Sequence, residues 1–161
     1  MVILGIDPGL RFAGYGVIKK DQGKTYILDS GYLTLPPTKS LVERVAQFYD
    51  FFEQMVIKWQ VTDLAIETPF LGKNSQTFLK LGYLRGVLYL LSHKYTLVLH
   101  EFSPSEVKQS VTGFGGASKE QVARILKQLF PRLPDAQKED VTDALAVTLC
   151  GLWKNKKLYL G

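Results

Sequence analysis

Val2-Ile3-Leu4-Gly5-Ile6 is an apolar run closed by Asp7-Pro8-Gly9, and a run this short ending on a turn signature predicts a buried strand. Residues 13–20 and 24–35 are rich in β-branched and aromatic side chains around Asp21-Gln22-Gly23, which predicts two strands joined as a hairpin that ends at Pro36-Pro37. Ser40-Leu41-Val42-Glu43 then has the form of a capping box. Leu41, Val45, Phe48, Phe52, Met55 and Trp59 follow at helical spacing along one face. A fourth strand is expected over Leu64-Ala65-Ile66-Glu67, a second helix from Ser75 to about His93, and a fifth strand over residues 96–101. Ser103-Pro104-Ser105-Glu106 and Ser118-Lys119-Glu120-Gln121 are two further capping boxes, each opening a helix. Pro131 and Pro134 break the chain before a last helix from roughly Asp135 to Trp153. This order predicts an α/β protein with a mixed five-stranded sheet flanked by helices.

The chain has 161 residues, enough for one domain over residues 1–161 with a single sizeable core. Its 46% apolar and 22% charged residues are those of an ordinary globular protein, with no repeat or low-complexity tract. Cys150 lies among Leu145, Leu149 and Leu152, so it reads as a small buried hydrophobe and the compartment as reducing. No basic leader precedes the first strand and no apolar run reaches membrane-spanning length, so the expected location is the cytoplasm of a bacterium or the interior of an organelle.

Chemistry enters with the acids. Asp7 and Glu67 each close an apolar strand beside a proline, where a carboxylate begins to lose water and needs a compensating cation or donor. Asp140 and Asp143 are one helical turn apart at the edge of a stripe formed by Val141, Ala144, Leu145, Thr148 and Leu152. A helix laid on the sheet by that stripe would hold both aspartates over the ends of the strands carrying Asp7 and Glu67. Four carboxylates in one place repel, and divalent cations relieve the repulsion. An all-oxygen set selects Mg²⁺, with Mn²⁺ as substitute, over zinc, and two such ions per site suit phosphodiester hydrolysis. Spacing alone leaves another reading open: an Asp before Pro-Gly also serves as a turn residue, and an Asp near a helix start also serves its dipole.

Formal charge is +5, from 20 basic and 15 acidic residues, which by itself says little about partners. With four acids given to metal, 11 remain against 20 basic residues, formally +9, and such a balance suits a polyanion whose backbone is the substrate.

Gly5-Ile6-Asp7-Pro8-Gly9 with Gly14-Tyr15-Gly16, Ala65-Ile66-Glu67 running on to Phe70, Lys73-Asn74 and Leu79-Lys80-Leu81-Gly82 resemble the RuvC family of Holliday-junction resolvases. Val107-Lys108-Gln109 with Gly113, and Asp140-Val141-Thr142-Asp143-Ala144-Leu145-Ala146, extend the resemblance over nearly the whole chain. It implies a ribonuclease H-like fold, with Asp7, Glu67, Asp140 and Asp143 as the acidic metal-binding and catalytic quartet. It also implies Mg²⁺-dependent cutting of four-way junction DNA by a homodimer, in paired symmetric nicks that leave 5′-phosphate and 3′-hydroxyl ends. Docking of a branch-migration motor of the RuvA and RuvB type is left open. Lys138-Glu139 is charged where many relatives carry milder residues, and Thr68-Pro69 departs from the commoner wording after the glutamate.

Around this quartet the resemblance gives Phe70 a place at the opened junction, where base stacking is worth about 1–3 kcal/mol; the alternative is a loop anchor. Lys73, Arg85, Lys108 and Lys119 are candidates for DNA phosphates, with Lys108 and Lys119 inside matched blocks. Gly82 and Gly86 within a helix each cost about 1 kcal/mol relative to alanine, which predicts close backbone approach either to the sheet or to a second copy of the helix, with Phe78, Leu81 and Tyr89 nearby. Thr112-Gly113-Phe114-Gly115-Gly116 is not a Walker loop, since no glycine immediately precedes the lysine and the strand is missing, and it reads as a flexible inter-helix turn near the DNA. His93 and His100 read as structural, and Lys154 to Lys157 as a solvated tail. Two other functions compete. A catalytically silent junction-binding protein of this fold is disfavoured by acids at all four matched positions, and an ATP-binding module of the actin and sugar-kinase type by the short chain and missing adenosine loop.

Overall fold

The computed structural model describes residues 1–69, 72–133 and 138–154. Strands β1 (Val2–Asp7), β2 (Phe12–Asp21) and β3 (Lys24–Thr34) are followed by α1 (Leu41–Trp59), β4 (Asp63–Glu67), α2 (Ser75–Lys94) and β5 (Val98–Phe102), then α3 (Pro104–Thr112), α4 (Lys119–Leu129) and α5 (Glu139–Lys154). The five strands form one sheet in the order β3-β2-β1-β4-β5. β1 runs antiparallel to β2 but parallel to β4, and β4 parallel to β5, so the sheet is mixed. The three capping boxes form as the sequence predicts: Ser40, Ser103 and Ser118 each accept from the backbone N–H three residues on, and the side chain there returns to the cap.

Strand alternation decides which side chains face which helices. Ile3 and Ala65 belong to the apolar cluster around α3, α4 and α5, whereas Leu4, Ile6, Leu64 and Ile66 belong to the one around α1 and α2. Gly5, Asp7 and Glu67 are in phase with Ile3 and Ala65, so both strand-end acids face the side of the sheet on which α5 lies.

α5 is more deeply placed than a single apolar stripe predicts. Every residue from Ala144 to Leu152 is buried, because one side rests on β1 and β2 and the other is covered by Val107 and Val111 of α3 and Val122 and Leu126 of α4. The absence of side chains in the sheet sets its height. A Cβ on Gly14 would lie 1.9 Å from the Asp140 carbonyl oxygen, and one on Gly5 would lie 1.9 Å from Thr148 Oγ1. Thr148, fully buried, donates to the Ala144 carbonyl at 2.6 Å. Cys150 is buried as expected.

Two peripheral readings change or sharpen. Lys154 is not part of a solvated tail; it is the last residue of α5, ion-paired with Glu106, with its ammonium 4.8 Å from the centroid of the Phe102 ring, while residues 155–157 lie outside the described residues. His100 Nε2 is 2.8 Å from Asp63 and its ring stacks on Phe102, a structural role, while His93 is exposed near the end of α2. Among the described residues no helix is long and apolar enough to cross a membrane.

Candidate active site

The site forms at the end of the sheet where β1 and β4 stop. Ile6 pairs with Ile66 in the parallel register, so Asp7 and Glu67 follow side by side. On the other flank Asp7 pairs with Gly14, and the space left by Gly14 admits the main chain of Asp140. α5 thus starts directly over the strand end that carries Asp7, and Asp143 follows one turn along.

Charge records the convergence. Asp7 is pushed up to about 7, first by loss of water and then by Asp143, Asp140 and Glu67. Glu67 is raised from its ordinary range by burial and by Asp143, with Lys108, Lys119 and Arg85 pulling the other way. Asp143 is raised by burial against the opposing pull of Lys119. Lys119, at the start of α4, is bonded to Asp143 at 3.3 Å and also to Glu139, a partner that sequence reasoning missed because the two meet only through the packing of α4 on α5. Among the described residues no three His, Cys, Asp or Glu side chains close into a coordination cluster. What the acids share is an excess of negative charge on oxygen donors with too few cations, and that donor set fits a hard divalent ion.

A cleft beside these acids is lined by Asp7, Glu67, Thr68, Phe78, Leu81 and Arg85. Arg85, expected beside DNA phosphates, is instead inside the protein with 7% of its surface exposed. Its guanidinium donates to the Glu67 carbonyl and, at 2.7 Å, to the Glu101 carboxylate, which also accepts from Tyr89 at 2.8 Å. One lysine ammonium cannot reproduce that fork. Arg85→Ala is expected to lower unfolding free energy by about 2–4 kcal/mol, since it empties a buried position and removes the donor to the Glu67 carbonyl, and a urea titration checks this.

The other expected contacts divide. Lys108 on α3 stands close enough to Glu67 to oppose its rise. Lys73 is exposed just before Asn74, the cap of α2, and Phe70 lies outside the described residues. On α2, Gly82 and Gly86 have open space where a Cβ would be, which removes the sheet as the reason for them. At about 100° per residue they share a stripe with Leu79, Tyr83 and Leu90, all of which are exposed. Phe78 and Leu81, expected near these glycines at an interface, lie off the stripe and line the cleft, because nearness in sequence is not nearness in helical phase. Tyr89 is at its border, exposed but tied to Glu101.

A central strand flanked by one antiparallel and one parallel neighbour, in the order β3-β2-β1-β4-β5 with a helix across the acids, defines a ribonuclease H-like protein. The profile of the family described as crossover junction endodeoxyribonuclease RuvC matches residues 3–151. Relatives of that description from Pelodictyon phaeoclathratiforme and Chlorobium phaeobacteroides are each 43% identical over 152 residues, covering 94% of this chain and 80% and 81% of theirs. Among solved structures, that of T. thermophilus RuvC in complex with Holliday junction substrate superposes with a TM-score of 0.89 at 25% identity, covering 98% of this chain and 96% of that one. The chain belongs to the RuvC family of crossover junction endodeoxyribonucleases.

Proposed function

We propose that this chain is an endonuclease that resolves four-way DNA junctions, as a homodimer, by paired Mg²⁺-dependent nicks. Family membership supports the activity, and the same-face placement of Asp7 and Glu67 beneath the start of α5 is the observation that carries it to particular residues. Asp7, Glu67, Asp140 and Asp143 would hold the metal. Divalent ions held there, two in the arrangement common to nucleases, would supply positive charge at the scissile phosphate and would lower the pKa of water.

The chain's own residues do the rest. Lys108 and Lys119 set positive charge next to Glu67 and Asp143, where phosphate oxygens arrive. Arg85 holds the Glu67 carbonyl, fixing the end of β4 and with it the direction of that carboxylate. Lys73 and Phe70 fall in the sequence between β4 and α2, and we assign them to the junction arms and the opened bases. End-labelled junction on a denaturing gel, with and without Mg²⁺ and beside linear duplex, tests the activity. Metal-dependent symmetric nicks in the junction alone are expected; binding without product would favour the silent junction-binding protein.

The exposed stripe Leu79, Gly82, Tyr83, Gly86 and Leu90 supports the homodimer, since two copies of α2 can approach closely where no Cβ intervenes. Two equivalent strands of a four-way junction then meet two equivalent sites. Leu90→Asp is expected to shift sedimentation from twice 18.1 kDa to the monomer mass and to unpair the nicks. A parent protein that sediments as a monomer at micromolar concentration would contradict this.

A further inference from the structure

The row Asp7, Gly14, Tyr32 runs straight across three strands, for Asp7 pairs with Gly14 and Gly14 with Tyr32. Directly paired residues point to the same face, so Tyr32 stands on the α5 side. Neighbouring strands are about 4.8 Å apart, which puts Tyr32 on the order of 10 Å from Asp7 along the sheet. The Phe12 ring meets Tyr32 edge to face, with centroids 5.8 Å apart. Two cations stand over this pair. Lys138, just before α5, places its ammonium 3.6 Å from the Phe12 centroid and 4.6 Å from that of Tyr32, and the Arg11 guanidinium is 5.4 Å from the Phe12 centroid. Lys138 and Arg11 are exposed, as is 44% of Tyr32.

The geometry points to this shelf as a second DNA contact, which takes a phosphate of the cut strand one to two nucleotides from the scissile one. The count follows from the spacing of successive phosphates in a stacked strand, roughly twice the axial rise of about 3.4 Å per nucleotide. The cations that oppose the acids' charge are Lys108, Lys119 and Arg85, whereas Arg11 and Lys138 stand over rings on the far side of Asp7. Holding a lysine over exposed rings returns only about 0.5–1 kcal/mol, less than the roughly 2 kcal/mol of rotamer freedom in its side chain, so a structural latch alone is a weak reason for the arrangement. A phosphate bound by both cations adds that reason, and the open face of Tyr32 then packs against the adjoining sugar or base. This inference rests on the nuclease reading and adds to it where the strand continues beyond the acids.

The test uses the full chain and a labelled four-way junction in EDTA, with affinity measured by anisotropy across a salt series. Lys138→Gln is expected to weaken binding about 3- to 10-fold and to reduce the slope of log K against log salt by about 0.9. Tyr32→Leu is expected to weaken it less, without changing the slope. A neutral methylphosphonate placed one to two nucleotides from the cut should weaken the parent more than it weakens Lys138→Gln. Unchanged affinity and slope in Lys138→Gln, or a lowered melting temperature with the methylphosphonate pattern of the parent, overturns the shelf. Cutting of the same junction by the parent in Mg²⁺ is read separately: its absence defeats the nuclease reading and this inference together, whereas a parent that cuts beside an unaffected Lys138→Gln defeats the inference alone.

Discussion

Asp7→Asn is expected to leave the protein folded and bound to a four-way junction while the single-turnover cutting rate falls by about 10³-fold or more, roughly 4 kcal/mol of barrier. The amide keeps the shape of the side chain but removes the charge at the point where three other acids bear on it. The same substitution should stabilise the metal-free protein. With its carboxyl raised from 3.8 to about 7, folded Asp7 still holds a proton between about pH 4 and pH 7 that the unfolded chain has already released. Stability is therefore fully present below pH 4 and is lost as pH rises toward 7, by at most about 4 kcal/mol at 1.36 kcal/mol per unit. Thermal melts in EDTA across that window should show the parent falling and Asp7→Asn nearly level, and Mg²⁺ should restore the parent at neutral pH. A parallel fall in both proteins would locate the titration elsewhere.

Gly14→Ala should be damaging out of proportion to one methyl group. The added carbon would lie 1.9 Å from the Asp140 carbonyl oxygen and 2.9 Å from the Val141 nitrogen, and these are backbone atoms that no rotamer change can clear. Either α5 rises from the sheet or β2 bends away from it. Either movement loosens the contact between α5 and the strands and shifts Asp140 and Asp143 relative to Asp7. A stability loss of about 3 kcal/mol or more is expected in denaturant titrations, with cutting down at least about 100-fold. Gly23→Ala is the control for glycine loss in general: it sits in the hairpin turn at φ +82°, with nothing within 4 Å of its Cβ position, so its cost is backbone strain alone and cutting should be spared.

Much of this was legible in the order of residues because the signals are local. Ser40, Ser103 and Ser118 announce their helices three residues ahead, and the short runs before Asp7 and Glu67 mark strands whose last residue is an acid. What stayed hidden depends on contacts between distant segments. Gly14 matters because of a backbone 126 residues away. Arg85 looked like a surface cation because nothing nearby in sequence hinted at Glu101 on β5. Phe78 and Leu81 were grouped with Gly82 and Gly86 by proximity, although helical phase separates them. The Phe12, Tyr32 and Lys138 shelf assembles from two strands and a helix start, and no local pattern marks it.

Manganese titration followed by electron paramagnetic resonance tests the metal pocket itself, without DNA or turnover. The parent is expected to take up Mn²⁺ from solution with loss of the free-ion signal, and Asp7→Asn and Asp143→Asn should each weaken that uptake at least about 10-fold. Variants that bind the ion as the parent does would contradict the convergence of these acids on one site.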